Sequence, residues 1–552
     1  MRRPVGIETE YGLNCEGFPA DDRARGMAPS QDQGGASHNG HPPGQASNGG
    51  AGGPSAAVDF AYEASRVVRC VDVPGAFRGW DYQGEDPYRD LRGMRVDRLA
   101  RDPHDLETPS DRSRTLSREE LLANTVLPNG ARYYNDHNHP EYCTEACLVL
   151  TELVAHDKAG ERVLFACEQR RNAELAAEYG PQTQVRVLKN NTDYHGRSYG
   201  THENYLFPRA VPLELVVRAM TPFLVTRQLF AGAGKVGIEQ GGLPIQPGFQ
   251  MSQRADFFEE RIGINTTAQR PIFNTRDEPH ADRTKYRRLH VIVGDANRSE
   301  WATAMKVGTA ALVLDLVEDG WSPTWDLEDP VAAIKTISRG HDLLATVALT
   351  DGRLVRAVDI QQWYFEAAAR AFAGRDEETD WVLGQWREVL DGFSGDPAPL
   401  ADRVDWLAKR RLFDQVRQAS GPAGERSASG WENPVLRRLD LAYHLVNPRL
   451  SLYDALVAQG RIRRLVTDEQ VEAALSHGPS RTRGAVRALL LARFGPAIRR
   501  VEWDSVTFGS NGREVRLQLD EITGPVVERL EMLVREAPDL ETLFATMMGR
   551  TP

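Results

Sequence analysis

The chain has 552 residues, 41% hydrophobic and 26% charged, which is ordinary for a soluble protein and long enough for two or three domains. A formal net charge of −11 argues against a general nucleic-acid or membrane-surface binder. Five cysteines, odd in number and without a second Cys/His pair at zinc spacing, argue against a disulfide framework and suit a reducing compartment.

Met1-Arg-Arg-Pro runs straight into a strand with no apolar signal segment, and no apolar run approaches the ~18 residues of a membrane helix, so a cytoplasmic location is expected. That strand, Val5-Gly-Ile-Glu-Thr-Glu-Tyr-Gly12, sets Glu8 and Glu10 two apart and therefore on one face. Residues 19–57 then change character: 26–53 holds 9 glycines in 28 residues and no Val, Ile, Leu or aromatic side chain. Such a composition cannot bury enough surface to offset its ordering entropy, which predicts a flexible insertion. Residues 80–93, with Trp80, Tyr82 and Tyr88 among charges, read as a partly ordered loop. Ser117-Arg-Glu-Glu120 reads as a capping box opening a short helix.

The densest chemistry lies in Asn129-Gly-Ala-Arg-Tyr-Tyr-Asn-Asp-His-Asn-His-Pro-Glu-Tyr142. Strand alternation puts Arg132, Tyr134 and Asp136 on one face and Tyr133 and Asn135 on the other. Glu141 follows soon after. With Glu8 and Glu10 these carboxylates make a hard-oxygen set, the type Mg²⁺ prefers when it also holds nucleotide phosphates. The plainer alternative, two polar strand faces looking at solvent, is disfavoured by the convergence of Arg, Tyr, Asp and Glu. Cys143 and Cys147 read as buried thiols.

A helix is expected over 148–178 and a strand over 184–191. In the next strand, 198–206, His202 and Asn204 share a face opposite Glu203. Residues 212–230 form an amphipathic helix pattern closed by Gly232-Ala-Gly-Lys-Val-Gly237, a turn lacking the spacing of a phosphate loop. Segments 248–256, 273–282 and 286–295 gather Arg254, Arg276, Arg287, Arg288, His280 and His290. Guanidinium forks suit phosphate and carboxylate oxygens. Helical patterns over 300–318 and 359–372 read as scaffold, 397–434 as mixed helix and loop with a joint at 419–430. The remainder reads as a small C-terminal domain, with a strand over 500–508. Six arginines in 480–500 form a basic run, either a solvated face or a seat for an acidic partner.

An antiparallel sheet presenting carboxylates for metal and arginines for phosphate describes a glutamine-synthetase-like site. The motifs are more specific. Gly6-Ile-Glu-Thr-Glu-Tyr-Gly, Asn129-Gly-Ala-Arg-Tyr-Tyr with Asp136, His139-Pro-Glu-Tyr, His202-Glu-Asn-Tyr, Asn274-Thr-Arg-Asp-Glu-Pro-His-Ala-Asp and Arg287-Arg-Leu-His-Val-Ile-Val-Gly-Asp resemble the Pup ligase / Pup deamidase-depupylase family. Trp80-Asp-Tyr, Pro87-Tyr-Arg-Asp-Leu-Arg-Gly, Pro247-Gly-Phe-Gln and Trp503-Asp-Ser-Val resemble its depupylase branch. Two features depart from the pattern: the Gly-rich insertion, and Thr144-Glu-Ala-Cys, in which Glu and Ala are exchanged.

The resemblance implies an α+β fold: a glutamine-synthetase-like curved antiparallel sheet with packed helices over 1–425, carrying the 19–57 insertion and a depupylase-type loop at 58–115. A small C-terminal domain, 433–552, would complete the nucleotide site. It implies an ATP/Mg-dependent hydrolase that frees Pup, a small protein modifier, from lysine side chains and deamidates its C-terminal glutamine; the alternative is the Pup–protein ligase, which forms that bond with ATP hydrolysis. ATP (or ADP plus phosphate) and Mg²⁺ would be the cofactors, Pup and pupylated proteins the partners, the protein a monomer. By the same resemblance Glu8, Tyr134 and Glu141 would hold Mg²⁺, with Glu10, His202 and His290 completing the metal and phosphate shell. Arg132, Thr144, Asn204 and Trp503 would contact nucleotide, Arg254 and Arg276 the γ-phosphate, and Asp136 would be the catalytic carboxylate.

Overall fold

The period-2 pattern of the short polar strands is realised in one six-stranded sheet. In the computed structural model, which describes residues 1–18, 58–101, 123–240, 243–419, 430–510 and 512–548, its strands are β1 (Val5–Glu10), β2 (Asn124–Val126), β3 (Arg132–Asp136), β4 (His139–Cys143), β5 (Thr201–Pro208) and β6 (Tyr286–Val291). Their spatial order is β6-β5-β1-β4-β3-β2, every neighbouring pair antiparallel. The 19–57 insertion and the 117–120 capping box lie outside the described residues, as does most of the 419–430 joint.

One face of the sheet is apolar. Val5 and Ile7 of β1, Tyr205 and Phe207 of β5, and Leu289 and Val291 of β6 enter the main core, while Tyr133 and Tyr142 enter a second apolar cluster. Each such fully buried side chain contributes roughly 1.5–3 kcal/mol, which fixes register because a one-residue slip would turn the whole set toward solvent. Helices pack behind it. They include α1 (Phe60–Arg69), α2 (Leu150–Tyr179), α3 (Leu213–Thr226) and α4 (Glu300–Glu318). Among them α4 is buried along nearly its whole length, and its N-cap Ser299 accepts from the Ala302 amide at 3.2 Å.

Several local expectations are corrected. The single helix expected over 212–230 breaks at Arg227 into α3 and a short turn, Gln228–Ala231. The strand expected over 500–508 is two strands, β7 (Ile498–Val501) and β8 (Ser505–Ser510), with Val501 paired to Val506 and Trp503 in the turn between them. A third strand, β9 (Arg513–Gln518), completes a small sheet. The basic run is not a solvated face throughout: Arg483 and Arg487 are buried, and Arg487 is ion-paired to buried Glu145. Residues of Pro434–His444 pack into the large body through Leu436, whereas the apolar cluster particular to the C-terminal end runs from Val486 to Leu543 and takes in Trp80 and Val126.

Candidate active site

The other face of the sheet is polar because alternation leaves no choice. Glu8 stands opposite Cys143 of β4 and His202 of β5, and Glu10 opposite Glu141. Tyr134 pairs with Glu141, Asp136 with His139, and Asn204 with His290. All of these but Asn204 line a cleft of about 1130 Å³, open solvent included, whose walls also carry Arg132, Arg254, Arg270, Arg276, Arg288 and Trp503. Thr144 and Asn204 line an adjoining hollow with Gly6, Ala146, Leu206, Pro279 and Ile522; Glu8, Cys143, His280, Arg288 and Trp503 border both spaces. Thus every residue the resemblance assigned a role reaches one of two contiguous spaces. Arg287, gathered with them by sequence, does not: it points off this face and donates to the Val211 carbonyl at 2.8 Å.

The possible cation ligands fall into two sets, each with its ligand atoms within 4.8 Å of one another: Glu8, His202 and His290, and Glu10, Asp136 and Glu141. The first is tied together by hydrogen bonds. His202 Nδ1 lies 3.3 Å from Glu8 Oε2, Asn204 Nδ2 donates to Glu8 Oε1 at 2.9 Å, and His290 Nδ1 meets Asn204 Oδ1 at 2.9 Å. Burial pushes the Glu8 carboxyl up, but the His202 bond and the Arg288 charge outweigh it and hold the group below its ordinary value. In the second set burial and the charges of Asp136, Glu8 and Glu10 drive Glu141 well above its ordinary value. Asp136 resists its own burial because His137 and Arg132 favour its charged form, which keeps it low. Carboxylates crowded this way are the donor set of a hard cation, whose charge removes their mutual repulsion. Tyr134, raised well above an ordinary phenol by burial and by Asp136 and Glu141, offers a neutral oxygen beside them.

Cationic groups line the opposite wall. Burial and the neighbouring Arg270 bring Arg254 down to about 10, and its Nε donates to Ser198 Oγ at 3.2 Å. Arg276 reaches Thr266 Oγ1 at 3.4 Å, and its Nε is buried without a hydrogen-bond partner. Two guanidiniums lining one cleft with carboxylates suit phosphoryl oxygens.

The loop after α1 forms the remaining wall, and most of it was not legible in sequence. Leu91 N donates to Thr275 O at 2.7 Å, Thr275 Oγ1 to Asp90 Oδ2 at 2.7 Å, and Asp277 N to Arg89 O at 2.9 Å, which docks the loop on the segment carrying Arg276. Glu85 thereby enters the cleft, where Arg132 donates to it at 3.0 Å and Trp80 Nε1 at 2.8 Å. The Arg132 guanidinium lies 4.1 Å from the Trp80 ring centre and 3.9 Å from that of Tyr134, and Trp80 meets Trp503 edge-on at 5.1 Å. Glu85, Arg270, Glu278 and His139 are site residues that sequence reasoning did not single out. His139 and Glu278 stood inside motifs already quoted and Glu85 between two of them; Arg270 carried no signal, since it reaches the cleft only through tertiary packing.

The glycine-rich turn is a turn and no phosphate cradle: Lys235 is fully buried and paired to Glu239 at 3.1 Å and Asp256 at 3.0 Å. Glu145, left uncertain by the exchanged motif, proves structural through its bond to Arg487. Cys143 and Cys147 are buried thiols, as expected.

An antiparallel sheet bearing paired carboxylate sets, faced by arginines and closed by a small C-terminal unit, is the glutamine-synthetase-like class of site, an α+β fold. Residues 3–507 match the family described as Pup-ligase protein, and the chain belongs to that family. It is 42% identical over 521 residues to a depupylase of Acidothermus cellulolyticus, covering 93% of this chain and 92% of that one. To a Pup deamidase/depupylase of Mycobacterium tuberculosis it is 43% identical over 519 residues, with the same two shares. A Pup–protein ligase of Acidimicrobium ferrooxidans is 43% identical over 370 residues, 66% of this chain and 79% of that one. Among solved structures, the complex of Pup with its ligase PafA superposes with a TM-score of 0.72 at 30% identity, covering 99% of this chain and 95% of that one. PafA in complex with ADP gives 0.66 at 35% identity, over 75% of this chain and 90% of that one.

Proposed function

We propose that the chain is a depupylase: an ATP/Mg-dependent hydrolase that cleaves Pup from lysine side chains of pupylated proteins and deamidates the C-terminal glutamine of Pup. What supports this reading over the ligase is the loop docked on the Arg276 segment, with Glu85 on the cleft wall and Trp80 packed against Arg132 beside it. The relatives named depupylase match this chain over 93% of its length and the ligase relative over 66%.

In this reading Glu8, His202 and His290 would hold one Mg²⁺ and Glu10 and Glu141, with the Tyr134 oxygen beside them, a second; the resemblance had grouped Glu8 with Tyr134 and Glu141, but Glu8 lies within ligand reach of the two histidines and Glu141 of Glu10 and Asp136. Bound there, the metal would neutralise phosphate oxygens. Arg254 and Arg276 take the γ-phosphate position. Thr144, whose Oγ1 accepts from Ile7 N at 3.0 Å and so keeps its own proton to donate, contacts the nucleotide with Asn204, Arg132 and Trp503. The adjoining hollow, bordered by Trp503 and apolar side chains, is the base pocket. Asp136, kept ionised, is the catalytic carboxylate, acting on the isopeptide carbonyl directly or through a water or bound phosphate. Amide hydrolysis is downhill, so the nucleotide is required in the site without being consumed at each turnover. The protein works as a cytoplasmic monomer.

Incubation with a pupylated protein, ATP and Mg²⁺, followed by a gel, tests this. Release of the unmodified target is expected. New conjugates from free Pup and target, with no release, would establish the ligase instead.

A further inference from the structure

The turn that carries Asp136 breaks a local rule. β3 ends at Asp136 and β4 begins at His139, so only His137 and Asn138 connect them. Both have positive φ, 41° and 76°, the pattern of a type I′ hairpin turn. That turn favours Asn-Gly because glycine alone enters the left-handed region without cost, histidine being, like asparagine, one of the few other residues found there with any frequency. Here an imidazole occupies that position. A backbone held in a sparsely populated region beside reacting groups is where function outweighs local preference.

The side chain shows what is gained. His137 Nδ1 lies 2.8 Å from Asp136 Oδ2, and both side chains are less than one-fifth exposed on the cleft wall. A strand end is a poor place to fix a carboxylate, because a terminal Asp keeps two free torsions. With residue 137 in the left-handed conformation its ring stands within hydrogen-bond distance of the Asp136 carboxylate. We infer that His137 is a positioning residue for the reaction: its ring holds one oxygen of Asp136 and so presents the other to the isopeptide carbonyl. The inference rests on the depupylase reading and deepens it. It needs no proton transfer through the ring, only donation of one hydrogen bond.

Three variants separate positioning from a plain turn role. In His137→Gly the backbone conformation is native to glycine and the hydrogen bond is gone. Its melting temperature should equal or exceed that of the wild type, and its affinity for Pup by fluorescence anisotropy should not change. Yet kcat for isopeptide cleavage should fall ~10–100-fold with KM nearly constant, the usual scale for losing a group that orients a ligand or reacting side chain. His137→Asn places an amide nitrogen at the same bonded distance from Cβ as Nδ1 and tolerates positive φ. It should recover kcat to within ~5-fold of wild type, on the same warrant. His137→Ala, lacking both features, should lose kcat as glycine does and stability as well. Full kcat in His137→Gly overturns the proposal, as does His137→Asn performing no better than glycine. A wild-type enzyme that releases no target overturns the depupylase reading instead. The three variants are then scored for kcat in conjugate formation at the same Asp136, where the same order is expected and its absence overturns the positioning role.

Discussion

Replacing Arg487 with methionine tests how the C-terminal unit is held to the site. Arg487 and Glu145 are 0% and 1% exposed and ion-paired, and the second guanidinium nitrogen donates to the Trp503 carbonyl. The slot is narrow: a Cβ built on Gly130 would lie 2.9 Å from Glu145 Oε1, and one on Gly484 2.8 Å from its Cβ. Burial pushes the Glu145 carboxyl up, and Arg487 followed by Arg483 pulls it back. Deleting Arg487 leaves a buried carboxylate facing only Arg483. Breaking a buried pair from one side costs about 3–5 kcal/mol, whereas replacing both partners by apolar groups of similar volume is close to neutral. Arg483 sets the expectation at the lower end, about 3 kcal/mol. Urea unfolding followed by tryptophan fluorescence should show that loss in Arg487→Met and most of it recovered in Arg487→Met/Glu145→Met. Calorimetric titration with Mg-ADP should show weaker binding in the single variant, because the backbone of Trp503 has lost its anchor. A single-variant loss below ~1 kcal/mol, the scale of an exposed pair, or a double variant no more stable than the single, would refute the reasoning.

Asp136→Asn should fold, bind ATP and bind Pup, yet cleave the isopeptide at least ~100-fold more slowly; near-normal cleavage on a gel would sink the catalytic assignment. Glu8→Ala or Glu141→Ala should abolish Mg-nucleotide binding while the fold survives, checked by calorimetry beside circular dichroism. His156, on α2, is buried and brought down to about 4 by desolvation, while the unfolded chain protonates near 6.5. Below pH 6.5 the unfolded state therefore binds the extra proton, and stability falls as pH drops toward 4, by about 2 kcal/mol at pH 5. His156→Leu should flatten the pH 7-to-5 difference in urea unfolding by that amount, and an unchanged difference would count against it.

What sequence revealed and what it hid follow a physical line. Alternation is local, so the shared faces of Glu8 with Glu10, of Arg132, Tyr134 and Asp136, and of His202 with Asn204 were legible before any pairing was known. Tyr133, opposite them, is fully buried as that alternation requires. Long-range placement is not local. Glu85 meets Arg132 across 47 residues and Arg487 meets Glu145 across 342, so a loop carboxylate became a site residue and a basic run became an interior clamp. Trp503 was singled out by motif, but its position in a β7–β8 turn depends on the pairing of Val501 with Val506.

The strand order has a consequence in time. β1 is translated first yet sits between β4 and β5, and β5 in turn leans on β6, which ends at Val291. At ~5–20 residues per second, an emerging chain waits on the order of 15–60 s between making β1 and making β6. Through that interval Val5 and Ile7 have no finished core to enter, because Leu289 and Val291 of β6 and the α4 helix behind them are still to be made. Until β4 and β5 emerge to pair with it, the nascent N-terminus is an unpaired strand with one greasy face, the kind of species that holdase chaperones retain. Synonymous codon changes that slow elongation across 210–290 should lower the soluble yield of this enzyme more than equal slowing after residue 440, where the sheet is already complete.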